Sequence, residues 1–186
     1  MIMNIDWAIL DKIQSMLSSG FMDWLMPKIT VLGNAGIIWI VIGVVLLFCK
    51  KHRKIGFLVL VGLLMGLIIG NGVVKNLVAR PRPCWLNTDF KLLISVPKDY
   101  SFPSGHTQAS VIAATIITLY RKEWGWIVIP LATGIAFSRL YLYVHFPTDV
   151  LSGAIMGMII GFITYFAGNK ILEAIKIKRQ NGGEVL

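Results

Sequence analysis

The sequence predicts an all-α integral membrane protein: a bundle of about five transmembrane helices, preceded by an amphipathic helix lying in the membrane interface. Three observations carry this. Of 186 residues, 56% are hydrophobic and only 15% charged, against about 25% charged in a typical soluble domain. Mean hydropathy is +0.73, more apolar surface than one small soluble core can bury. Several uncharged runs also reach the roughly 20 residues that a helix rising ~1.5 Å per residue needs to cross a ~30 Å hydrocarbon core. The net charge of +9, in so apolar a chain, does not describe a solvated nucleic-acid binder or a disordered tail.

The elements follow in order as one domain over residues 1–186. In residues 1–24, Ile5, Ala8, Ile9, Ile13, Met16 and Leu17 recur at helical spacing while Asp6, Asp11, Lys12 and several serines fill the other face. That pattern suits a helix lying on the bilayer rather than crossing it. No basic segment followed by a long apolar run opens the chain, so no cleaved signal peptide is expected.

The transmembrane core spans residues 29–168. Runs 29–48, 55–74 and 150–168 are uninterrupted apolar spans. Runs 104–120 and 124–144 are less pure, with His106 and Gln108 near the start of one and Ser138 and Arg139 near the end of the other. Residues 169–186 read as a polar cytoplasmic tail that frays from Lys170 onward.

Five spans sort the connections onto two sides. One holds Lys50, Lys51, Arg53 and Lys54, then Arg121 and Lys122, then the basic tail; the other holds the N-terminal helix, residues 75–103 and residues 144–149. The short basic connections place their side in the cytoplasm by the positive-inside rule. Cys49 and Cys84 then fall on opposite sides of a ~30 Å core, so they cannot meet the roughly 7 Å Cα separation that a disulfide requires.

The polar groups at span ends all fall on the other side. Lys75, Arg80 and Arg82 follow the second span; Ser104, Gly105 and His106 open the third; Arg139 and His145 close the fourth; Asp149 opens the fifth. Each cation alone reads as a snorkelling anchor. Together they bring cations, two histidines, a carboxylate and a helix N-terminus to one membrane face, which is the composition of a phosphate site. In Pro103-Ser104-Gly105-His106, proline suits a helix start whose free N–H groups favour an anion, and Gly105 permits close approach. His145 and Asp149, four apart, allow the carboxylate to fix the imidazole tautomer and raise its pKa.

These residues carry a resemblance. Lys75 with Arg82-Pro83, then Pro103-Ser104-Gly105-His106, then Ser138-Arg139 followed by His145 and Asp149, resemble the three signatures of the type 2 phosphatidic acid phosphatase superfamily, in order and without substitution. The resemblance runs from about residue 29 to 168. It implies that Lys75, Arg82 and Arg139 bind phosphate oxygens, with Ser104 and the Gly105 N–H completing the cradle. It implies that His145 attacks phosphorus to form a phosphohistidine and is oriented by Asp149. By the same resemblance His106 protonates the leaving oxygen and then activates water. No metal and no cofactor are expected. Arg80, outside the signatures, is a candidate second-phosphate or headgroup contact. Relatives of this family usually have six spans, so five with an interfacial N-terminal helix would be a reduced plan.

The expected partners are the bilayer and a lipid phosphate or diphosphate, undecaprenyl diphosphate first among them, acted on in the plasma membrane at its extracytoplasmic face. Phosphatidylglycerol phosphate, phosphatidic acid and lipid A phosphates are rivals, and no nucleic-acid partner is expected. A vanadium haloperoxidase would use the same kind of oxyanion site but is soluble. A transporter or flippase is the non-enzymatic alternative, though transporter sites lie near the bilayer midplane rather than at span ends.

Overall fold

The computed structural model describes residues 2–182 of the chain, and every regular element among them is helical. Helix α1 (Ile2–Leu17) is followed by α2 (Gly20–Leu32), a short 3-10 turn (Asn34–Gly36) and α3 (Ile37–Phe48). Next, α4 (Arg53–Gly66) runs through a π-helical segment (Leu67–Val74) into α5 (Lys75–Val78), and α6 (Pro83–Leu86) is a single turn. After an irregular stretch come α7 (Gly105–Tyr120), α8 (Gly125–Tyr141) and α9 (Pro147–Gly182).

Two helical stretches, Arg53–Leu86 and Pro147–Lys178, are each long and apolar enough to cross a membrane. Gly20–Leu32 and Asn34–Phe48 qualify together as a third, bent by 44°. Helices α7 and α8, of 16 and 17 residues, are shorter, since a ~30 Å core needs about 20 residues. A wide band of isoleucine, valine, leucine and phenylalanine stays exposed on the outer faces of α3, α4 and α9, as lipid contact requires.

Helix α7 is the central post, packed against α9, α8 and α4. Its contact with α9 is close because Gly153, Gly157 and Gly161 line up on one face. A Cβ at Gly153 would lie 2.7 Å from the Ser104 carbonyl oxygen, and one at Gly157 2.8 Å from that of Gln108. Small residues at this spacing let two backbones approach, and membrane helices associate largely through such packing. Trp39 of α3 donates to Ser110 Oγ of α7 at 2.8 Å, tying in a fourth helix.

The structure corrects the sequence reading in four places. No boundary falls at residues 24–29: α2 starts at Gly20, capped by Ser19 Oγ, which accepts from Met22 N. The expected span 29–48 is broken at Gly33–Gly36, because Ala35 (φ 49°) and Gly36 (φ 69°) adopt left-handed conformations that end a right-handed helix. Residues 169–182, expected to fray, continue α9 as helix, and 183–186 lie outside the described residues. Asp6, read as part of a polar face, is only 1% exposed. It sits where α1 packs on α8 and the start of α9, bonded to Arg80 and Thr148. Both cysteines are free; Cys49 is exposed and Cys84 buried.

Candidate active site

Three connections meet at one end of the bundle: the 33–36 break, the 79–104 stretch and the 142–146 turn. Backbone strain marks all three, the first at Ala35. Ala79 (φ 47°) ends α5 just before Arg80, and Tyr143 (φ 60°) precedes the Val144-His145 step. A non-glycine residue there costs roughly 1–2 kcal/mol, and aromatic packing offsets it: Phe90 stacks on Tyr143 at 4.2 Å, and Trp7 meets Phe146 edge-on at 5.0 Å.

A cavity of about 830 Å³ opens among these connections. Lys75, Arg82, Gly105, His106, Arg139 and His145 are among its polar and charged lining, and Ile40, Leu60, Leu63, Leu64 and Leu67 among its apolar lining. Six of the eight residues expected from the sequence therefore share one cavity. Ser104 and Asp149, both fully buried, lie behind its wall. The Ser104 hydroxyl caps α7 and lies 3.0 Å from Thr107 Oγ1, and the Ser104 N–H donates to the Asp149 carbonyl at 3.1 Å. Gly105 is needed for space, since a Cβ there would fall 2.8 Å from Asn71 Oδ1.

Arg82 is 2% exposed and uses its whole guanidinium. Nε donates to the Asp99 carbonyl at 2.7 Å, Nη1 to the Val144 carbonyl at 2.7 Å, and Nη2 to Asp99 Oδ1 at 2.8 Å and the Tyr100 carbonyl at 3.2 Å. Nη1 also lies 3.0 Å from His145 Nε2. Arginine carries no acceptor, so Nε2 is the lone-pair nitrogen and the proton of neutral His145 sits on Nδ1. Lys75 Nζ, otherwise buried, reaches Asp99 Oδ2 at 2.5 Å. Arg139 is held by Thr30 Oγ1 at 2.5 Å, and its Nε is buried without a partner.

The His145–Asp149 pair differs from expectation. Nδ1 and Asp149 Oδ2 are 3.7 Å apart, too long for a hydrogen bond. Ser101 stands between them, its hydroxyl donating to Asp149 Oδ2 at 2.5 Å and lying 3.4 Å from Nδ1. Nor does the pKa of His145 rise. Burial, then the charges of Arg82, Arg139 and Lys75, push it well below the usual histidine value.

Arg80 is also not a headgroup contact. Nη1 donates to Asp149 Oδ1 at 2.6 Å and Thr148 Oγ1 at 2.7 Å, Nη2 to Asp6 Oδ2 at 2.7 Å, and its guanidinium lies 4.1 Å over the Phe146 ring. Asp6 Oδ1 accepts from Thr148 N at 3.1 Å. The network ties α1 to the first turn of α9 and holds Asp149 from behind.

Asp99, Ser101, Asn34 and Thr30 are site residues that sequence reasoning missed. Asn34 Oδ1 lies 3.0 Å from His106 Nε2, which is possible only because the helix breaks at Gly33–Gly36. No spacing rule signals any of the four. Among the described residues, no group of three or more His, Cys, Asp and Glu side chains is placed to hold a metal ion.

The arrangement can bind a tetrahedral oxyanion between three cations and an imidazole lone pair, with room for an apolar tail alongside. Comparison with known proteins agrees in fold. The crystal structure of a transmembrane PAP2 type phosphatidylglycerolphosphate phosphatase from Bacillus subtilis superposes with a TM-score of 0.72 at 26% identity, covering 91% of this chain and 87% of that one. Aquifex aeolicus LpxE gives 0.75 at 26% identity, covering 86% and 94%. An undecaprenyl-diphosphatase of Sulfolobus acidocaldarius is 34% identical over 128 residues, 68% of this chain. The chain spans about three-fifths of the curated relatives it matches first, 62% and 59% of their lengths. The family model of the PAP2 superfamily matches residues 55–172, which hold every signature residue lining the cavity, and the chain belongs to that superfamily.

Proposed function

We propose that the protein is a membrane phosphatase that hydrolyses a lipid phosphate or diphosphate without a metal, through a phosphohistidine on His145. The observation that carries this reading is the position of His145, its Nε2 3.0 Å from Arg82 Nη1, on a cavity that Lys75, Arg82 and Arg139 also line. The three cations neutralise the charge that spreads over the equatorial oxygens during phosphoryl transfer. Nε2 forms a bond to phosphorus as the bond to the leaving oxygen breaks, and His106 gives that oxygen its proton. The positive charge on the phosphorylated imidazole is met by Ser101 and Asp149 on the Nδ1 side. Water then attacks phosphorus, His106 takes its proton, and phosphate leaves with His145 neutral again.

The apolar lining of the cavity, Ile40 of α3 with Leu60, Leu63 and Leu64 of α4, suits a chain that stays in the bilayer. Undecaprenyl diphosphate is the leading substrate, because the relative matched at 34% identity is named for it. Phosphatidylglycerol phosphate is the rival, because the Bacillus subtilis phosphatase that covers 91% of this chain is named for it. In this reading α7 and α8 count as short spans inside the bundle, the basic connections 50–54 and 121–122 lie in the cytoplasm, and the site opens at the extracytoplasmic face of the plasma membrane. Phosphate release by purified protein from a panel of lipid phosphates tests the activity and ranks the substrates. Release from none of them rejects the reading.

A further inference from the structure

Asp99 occupies the place that the proposed reaction reserves for phosphate. One carboxylate oxygen lies on Lys75 Nζ and the other on Arg82 Nη2, at 2.5 and 2.8 Å, the two-oxygen contact that a phosphoryl group would make with the same cations. The aspartate faces the cavity and is 57% exposed, whereas its partners are 7% and 2% exposed. Burial alone would raise the pKa of Asp99. The bond from Lys75 and the charge of Arg82 outweigh that and hold it at about 2, so the carboxylate is charged whenever the site is empty.

Arg82 has no donor left for a substrate while Asp99 stays in place. Of its partners, three are backbone carbonyls in fixed connections and one is the His145 lone pair; the Asp99 carboxylate is the remaining one and is free to swing. The Asp99 main chain is pinned at its own carbonyl by Arg82 Nε, and Ser101 N donates to the Arg80 carbonyl at 2.8 Å. Displacement therefore needs only a rotamer change and leaves the loop standing.

Resting on the phosphatase reading above, we propose that Asp99 is a specificity-determining residue, an internal anion that an incoming phosphate must displace and that thereby excludes phosphodiester lipids. The physical basis is an exchange of like charges. A phosphodiester headgroup carries one negative charge, the same as the carboxylate it would replace, and gains little. A phosphomonoester carries close to two near neutral pH, and a diphosphate more. An enzyme with three cations at a membrane surface meets singly charged phosphodiesters in great excess over its substrate. The carboxylate keeps those lipids from filling the cradle.

The test is inhibition of purified protein in mixed micelles, using phosphatidylglycerol as the diester, and inorganic phosphate and vanadate as charged competitors. For wild type, phosphatidic acid competes at least about tenfold better than phosphatidylglycerol, the order of one charge-assisted contact. In Asp99→Asn and Asp99→Ser, the inhibition constants for phosphate and vanadate fall about tenfold and phosphatidylglycerol becomes an inhibitor. If phosphatidylglycerol inhibits wild type as strongly as phosphatidic acid, the proposal fails without any variant being needed. Unchanged or weaker phosphate affinity in the variants also overturns it, and makes Asp99 a residue that orders Lys75 and Arg82. A wild type that hydrolyses no lipid phosphate and binds no vanadate rejects the phosphatase reading instead.

Discussion

Arg82 Nη1 lies 3.0 Å from Nε2 of His145, and a group that can only donate leaves the lone pair of the neutral imidazole on Nε2. In the proposed reaction Arg82 would therefore have two tasks, one on the substrate and one on His145. Arg82→Lys should lose about a hundredfold or more in kcat/KM, since a lost charge-assisted contact of ~3 kcal/mol is roughly that factor. Arg139→Lys should fall by a similar factor, with its loss appearing mainly in substrate affinity. Steady-state kinetics on a short-chain substrate separates the two.

His145→Ala should abolish turnover, and brief reaction with labelled substrate should leave label on His145. Mapping the modified peptide checks this. Label on Ser104 is not expected, because its hydroxyl is buried as the cap of α7.

Turnover should persist in excess EDTA and be inhibited by vanadate, which mimics the trigonal bipyramid of phosphoryl transfer. The cations that stabilise charge here are side chains. Loss of activity on chelation with recovery on adding magnesium would contradict the mechanism.

The pH profile follows from the low pKa of His145. Its neutral, nucleophilic form persists below 6.5, the ordinary histidine value, so the acidic limb of kcat/KM should lie below 6.5. Removing a cation, as in Arg139→Gln, should move that limb to higher pH. Folding stability should fall as pH drops through 6.5, because the unfolded chain takes up a proton that the folded one refuses. Profiles of rate and of detergent-solubilised melting check both signs.

Asp6→Asn should destabilise by about 3 kcal/mol, because it leaves the largely buried Arg80 short of a charge partner. It should also slow turnover through Asp149, which Arg80 holds. Orientation is best read with Thr88→Cys rather than the buried Cys84: an impermeant thiol reagent on intact cells should label position 88 and spare Cys49.

Local rules made a large share of the fold and site readable. The membrane class, the helical content and the approximate position of each apolar stretch follow from composition and run length, because lipid demands internally bonded helices of a set length. The signature residues Lys75, Arg82, His106, Arg139 and His145 were readable because they flank spans on one side, and the structure gathers them around one cavity. Residue spacing could not disclose relations made across elements. The break at Gly33–Gly36 depends on two left-handed residues inside an apolar run, and it delivers Asn34 to His106. The burial of Asp6, the turning of Arg80 toward Asp149, and the insertion of Ser101 beside His145 each join segments more than 40 residues apart. The loop that carries Asp99 has no periodicity, and its path is set by contacts with other segments, Phe90 on Tyr143, Ser101 on Asp149, and Asp99 on Lys75 and Arg82. Tertiary packing alone decides where its carboxylate lies, and so which anion holds the empty site.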